Sequence, residues 1–175
     1  MAKNKIKLFS ILFAVAFACS AFANPVRDAV EHIYTKEIGV REKTGKNDGE
    51  RIEMYLKSTG LGKGYAWCMA FVYWSVKEAA KQLNTTSPLI KTAGVLRQWN
   101  EVNSKLKFTK NPKPGDIFIM DYGKGLGHSG FVVEVLSNGN LKTIEGNTND
   151  EGSREGYEVC YRTRKQSQIK GYIRI

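Results

Sequence analysis

The sequence Trp67-Cys68-Met69-Ala70-Phe71-Val72-Tyr73-Trp74 predicts a helix that opens on a cysteine. From Cys68 onward, apolar and small residues fall at Phe71, Val72, Ser75, Ala79 and Leu83, three and four apart, while Lys77, Glu78, Lys81 and Gln82 take the other side. The expected helix is amphipathic, with Cys68 at the head of its buried stripe. A thiol there lies at the positive end of the helix macrodipole, and this favours the nucleophilic thiolate. Gly64-Tyr65-Ala66-Trp67 supplies no Ser, Thr, Asp or Asn to cap the first N–H groups. They are left for a ligand, as an oxyanion hole requires. Taken alone, a cysteine in an apolar run is most often a small buried hydrophobe, so its partners decide the matter.

Upstream, residues 1–23 carry Lys3, Lys5 and Lys7, an apolar run from Leu8 to Phe17, and Ala21-Phe22-Ala23 before Asn24 and Pro25. This pattern is that of a secretory signal peptide cut after about Ala23, which places the protein outside the cytoplasm, secreted or periplasmic. The run is short for a stable membrane span. A lipoprotein alternative rests on Ala16-Phe17-Ala18-Cys19, although a large aliphatic residue is expected where Ala16 stands. Residues 24–175 then form a single domain with a sizeable core. Val26, Ala29, Val30 and Ile33 predict a first helix ending near Gly39. Asn47 with Glu50 reads as a capping box for a second, through Ile52, Tyr55 and Leu56 to Gly60.

Downstream, Ala93, Leu96, Trp99, Val102 and Leu106 predict a fourth helix from about Thr92. Beyond the turn Pro112-Lys113-Pro114-Gly115-Asp116 the texture changes to strands, expected at 117–121, 129–136, 141–147, 157–163 and 171–175. Ser137-Asn138-Gly139-Asn140 makes a hairpin of the second and third. Helices followed by an antiparallel sheet form an α+β pattern.

The chain is basic, with 27 Lys and Arg against 17 Asp and Glu, and residues 1–23 hold only three of those cations, so the excess survives processing. Such a surface suits an acidic partner such as cell-wall peptides. The charges are scattered and no nucleic-acid motif is present, so no nucleic-acid partner is expected. Two cysteines remain after cleavage, Cys68 and Cys160. Cys160 lies in the alternating run Tyr157-Glu158-Val159-Cys160-Tyr161-Arg162, where a packed free thiol is the simpler expectation; a disulfide to Cys68 would abolish any nucleophilic role.

The chain has two histidines. His32 falls beside the apolar stripe of the first helix and reads as a surface residue. His128 sits in Gly125-Leu126-Gly127-His128-Ser129-Gly130, entering a strand among small neighbours, and is the candidate general base for Cys68. In the partner strand, Thr143-Ile144-Glu145-Gly146-Asn147, residues two apart share a face. Glu145 and Asn147 are therefore expected to point the same way, and either could hold the second imidazole nitrogen. Charge favours Glu145.

The helix opening in WCMAFVYW, the PKPGDIFIM turn into a strand, GHSGFVVEV and IEGN, in that order, resemble the CHAP family of cysteine, histidine-dependent amidohydrolases and peptidases. The resemblance runs from about Glu37 to the C-terminus. It implies a papain-like α+β fold, N-terminal helices packed on a C-terminal antiparallel sheet, with Cys68 as nucleophile, His128 as base, and Glu145 with Asn147 in the third and fourth positions. It also implies a substrate among the amides of peptidoglycan stem peptides and their attachments. Tyr65 is a candidate oxyanion donor by analogy with related wall peptidases, or else a hydrophobic wall, and Trp67 joins it as a candidate substrate contact. The acidic calcium cluster of some phage members is missing from this sequence, and no metal or other cofactor is expected. The expected protein is a monomeric wall amidase or endopeptidase. Its alternatives are a non-catalytic peptidoglycan-binding module, or an antibacterial toxin of the same chemistry with an inhibitor or immunity protein as partner.

Overall fold

The computed structural model describes residues 24–149 and 156–175. The expected signal peptide and most of the loop after Thr148 lie outside the described residues. Four helices come first: α1 (Pro25–Lys36), α2 (Glu50–Thr59), α3 (Cys68–Gln82) and α4 (Val95–Glu101). Six strands follow: β1 (Lys107–Phe108), β2 (Ile117–Gly123), β3 (Leu126–Val135), β4 (Leu141–Thr148), β5 (Glu158–Arg164) and β6 (Gly171–Ile173). They form one antiparallel sheet in the order β1-β6-β2-β3-β4-β5. The α+β pattern stands as expected. Among the described residues no helix is long and apolar enough to cross a membrane.

The central element is α3, and it differs from the amphipathic helix expected. Every residue from Cys68 to Val76 is buried, because α1 and α2 cover the side that the sheet does not. Tyr34 of α1 stacks on Phe131 of β3 with centroids 4.3 Å apart, and Phe71 of α3 meets the same ring edge-on. Tyr55 of α2 packs among Trp67, Phe71 and Trp74. Only beyond Val76 do Lys77, Lys81 and Gln82 reach solvent as the periodicity predicts.

Asn24 caps α1, its Oδ1 accepting the Val26 and Arg27 N–H groups at 3.1 and 3.2 Å. Its Nδ2 donates to the Ile175 carbonyl at 3.0 Å, which ties the start of α1 to the segment after β6. Asn24→Ala is expected to lower stability by about 1 kcal/mol, measured as a drop in the urea midpoint at constant m-value.

Three local expectations are corrected. The cap of α2 is Gly49, not Asn47, because the Asn47 N–H donates to Glu42 and its carbonyl accepts from Gly64, committing it to the preceding loop. The helix expected from Thr92 starts at Val95, since the Thr92 hydroxyl accepts the Gly94 N–H at 3.0 Å and holds a turn there. It stops at Glu101, where Val102 turns extended. Finally, β2 and β3 form a second hairpin through Gly123-Lys124-Gly125, and β1 is an extra short strand beside β6.

Candidate active site

Cys68 is the first residue of α3, and no side chain caps that end. The Phe71 N–H bonds the Trp67 carbonyl at 2.8 Å, and the N–H groups before it have no partner within the helix. The approach to the cysteine is held from outside. Trp67 Nε1 donates to Glu42 Oε1 at 2.8 Å, and the Gly64 N–H donates to the Asn47 carbonyl at 2.9 Å. A Cβ at Gly146 would stand 2.5 Å from the Trp67 ring and 3.1 Å from the Phe71 Cβ. Glycine there lets β4 run against the start of α3.

His128 projects from β3 opposite Met120 of β2 and is 3% exposed. Its Nε2 lies 2.7 Å from Glu145 Oε2, and Cys68 lies close enough to the ring to favour its charged form. Glu145, fully buried, has four contacts of this kind. Besides His128, it accepts from Thr143 Oγ1 at 2.6 Å, Arg164 Nε at 2.9 Å and Arg164 Nη2 at 2.6 Å. In the β3–β4 register Phe131 faces Ile144 and Val132 faces Thr143. Gly130 thus stands between His128 and Glu145, and the carboxylate reaches the imidazole across a position with no side chain. A Cβ there would be 2.8 Å from the Glu145 Cγ.

Burial disfavours a charged imidazole, but the hydrogen bonds and negative charges of Cys68 and Glu145 outweigh it and carry His128 from 6.5 up to about 9. Burial also opposes the Glu145 charge, yet Arg164 and then His128 bring that carboxyl from 4.5 down to about 2. The contribution of Glu145 to stability is present above pH 4.5 and lost as pH falls toward 2. That of His128 is complete below pH 6.5 and lost as pH rises through 9. The pair therefore stabilises the fold most between pH 4.5 and 6.5, and Tm is expected to decline from pH 6.5 to 9. In Glu145→Gln that alkaline slope should flatten; an unchanged slope in thermal melts would refute the assignment.

The structure brings Cys68, His128 and Glu145 together. Asn147 is buried too, but the expected alternation stops short of it. The β4–β5 register shifts between Glu145 and Thr148, and Asn147 adopts a left-handed backbone with φ 56°. Its Oδ1 has no hydrogen-bond partner among the described residues. Tyr65 is 56% exposed, three residues before Cys68. The expectation for Trp67 is corrected: its side chain is wholly buried and its N–H is given to Glu42, so the indole is core and offers substrate no surface. No disulfide joins Cys68 and Cys160, and His32 is exposed.

A model of the CHAP domain matches residues 60–147, half of the chain, spanning α3, His128 and Glu145. The chain belongs to the CHAP domain family. No curated protein sequence matches it. Among solved structures, this CHAP chain resembles the wild-type endolysin LysIME-EF1 with a TM-score of 0.51 and 15% identity. The match covers 85% of this chain and 63% of the endolysin chain. The likeness is one of fold, α+β and papain-like as expected, with the helices packed on the C-terminal antiparallel sheet.

Sequence reasoning missed Arg164, Thr143 and the role of Gly130. Arg164 falls among the scattered basic charges, and Gly130 counts only as a small neighbour of His128. The usable signal was the alternation Arg162, Arg164 on a strand next to Glu145: a cation on the inward face of a strand needs an anion. Among the described residues, no three His, Cys, Asp or Glu side chains are grouped to hold a metal ion.

Proposed function

We propose that this CHAP protein is a secreted cysteine amidohydrolase that cleaves amide bonds in the peptide part of bacterial peptidoglycan. Family membership and the endolysin-like fold support a hydrolase of the cell wall. The observation that carries the chemistry is a thiol at an uncapped helix start, close to a buried histidine whose Nε2 is held by a buried carboxylate. Cleavage after Ala23 leaves the Asn24 cap of α1 in place.

In this reading the Cys68 thiolate attacks the amide carbon. A C–S bond forms, and the carbonyl π pair moves onto oxygen, where free N–H groups at the start of α3 receive it. Collapse of this intermediate breaks the C–N bond, and the departing amine takes the proton from His128 Nδ1. The neutral imidazole then removes a proton from water as the hydroxide adds to the thioester carbon. Expulsion of the thiolate yields the carboxylic acid and restores the Cys68–His128 pair. Throughout, Glu145 keeps the imidazole oriented and stabilises its charged form. Tyr65, exposed and near the nucleophile, contacts the peptide flanking the scissile bond.

The test is incubation of the protein lacking residues 1–23 with sacculi of different cross-link chemistry, and identification of released fragments by mass spectrometry. New amino and carboxyl termini within stem peptides or cross-bridges are the expected result and name the bond. Sedimentation with sacculi without any release would favour a binding module instead. Preferential lysis of foreign sacculi would assign the same chemistry to an antibacterial toxin.

A further inference from the structure

We propose that Arg164 is the positioning residue of this site: its guanidinium fork fixes Glu145 in the orientation in which Oε2 meets His128 Nε2. The inference rests on the proposed roles of Cys68 and His128 but concerns a residue outside the matched segment, on the edge strand β5. Arg164 meets Glu145 with two nitrogens on two oxygens, at 2.9 and 2.6 Å, and its side chain is only 13% exposed. A two-point contact of this kind fixes the plane of the carboxylate as well as its position. Thr143 takes a further direction on Oε1, which leaves Oε2 shared between Arg164 and the imidazole.

The chemistry requires a permanent cation here. Whenever His128 gives its proton to a leaving amine, it becomes neutral, and Glu145 would then be a fully buried anion with no compensating charge. Such a carboxylate takes up a proton or turns toward water, and either change ends its hold on the imidazole. Arg164 keeps its charge through the whole cycle. Arginine also suits the place better than lysine, whose single ammonium cannot hold both oxygens. The ionisable groups facing the pair are Cys68 from α3 and Arg164 from β5, with Cys160 of β5 and Tyr122 of β2 near Arg164.

Proton NMR titration of His128 tests this without reference to any substrate. The chain holds two histidines, and the His32→Gln background leaves one imidazole to follow. With Arg164 intact the midpoint is expected near 9. In Arg164→Met it should fall by about one to two pH units, because the imidazolium loses its oriented partner. Arg164→Lys should recover part of that shift. The double variant Arg164→Met/Glu145→Gln should match Glu145→Gln alone, and it also removes the uncompensated carboxylate should the single variant fail to fold. A midpoint that stays put or rises in Arg164→Met, or additive shifts in the double variant, would overturn the proposal. If the histidine shifts as expected but no variant or parent releases fragments from sacculi, the positioning role stands and the hydrolase reading falls. Cleavage with an unshifted histidine gives the reverse.

Discussion

Replacing Cys68 by alanine is expected to slow fragment release from sacculi by on the order of 10⁴-fold or more, while the protein stays folded. The two effects separate because of where the thiol sits. Its sulfur is the nucleophilic atom at the uncapped start of α3 and lies near the His128 ring, and alanine puts no nucleophile in its place. The substitution removes one atom from a site 5% exposed and keeps a residue with high helix propensity. The packing of Trp67, Phe71 and Gly146 around the helix start is untouched. Tm is therefore expected to move by no more than a few degrees. Parallel mass spectrometry of fragments and thermal melts measure both. Release within about tenfold of the parent would exclude nucleophilic catalysis by Cys68, and a collapsed melt would mean that the thiol is primarily structural.

The second large effect is expected at Gly130. A Cβ there would stand 2.6 Å from the Ile144 carbonyl oxygen, 2.8 Å from the Glu145 Cγ and 3.0 Å from the Phe118 ring. β3 is hydrogen-bonded to β2 on one side and β4 on the other, so the strand cannot drift away from the added methyl. The β4 backbone at Ile144 must give way and the Glu145 side chain must move with it, and that displacement costs the contact with His128. Gly130→Ala should lose about 1–3 kcal/mol of stability and, in addition, most of its turnover. Gly62→Ala, with nothing within 4 Å of the added Cβ, is the control and should behave as the parent. Urea unfolding and sacculus cleavage read the two effects separately. A Gly130→Ala protein as active as the parent would show that the carboxylate does not need to cross that position.

The two predictions concern different kinds of information. The importance of Cys68 was readable along the chain, because a helix start, a missing cap and a cysteine are local features. The importance of Gly130 was not, because its cause is a side chain on another strand. The same division separates Glu145 from Asn147. Period-two alternation placed both on one face, and it serves for Glu145. It fails at Asn147, where β4 slips register against β5 and the backbone turns left-handed. Trp67 shows the opposite error: proximity to Cys68 in sequence suggested a substrate contact, but α2 and the loop holding Glu42 enclose the indole.

By itself the sequence determined the α+β order of elements, the helix that begins at Cys68, the strand bearing His128 and the hairpin that sets β3 against β4. These follow from periodicities of 3.6 and 2 and from turn residues, all of which act over a few neighbours along the chain. Only the tertiary structure decided that α3 is buried on every side at its start, that Gly130 opens the path from Glu145 to His128, and that Arg164 completes the site. Each of these depends on which strands and helices become neighbours, and a buried charge finds its partner through the register of the sheet rather than through distance along the chain.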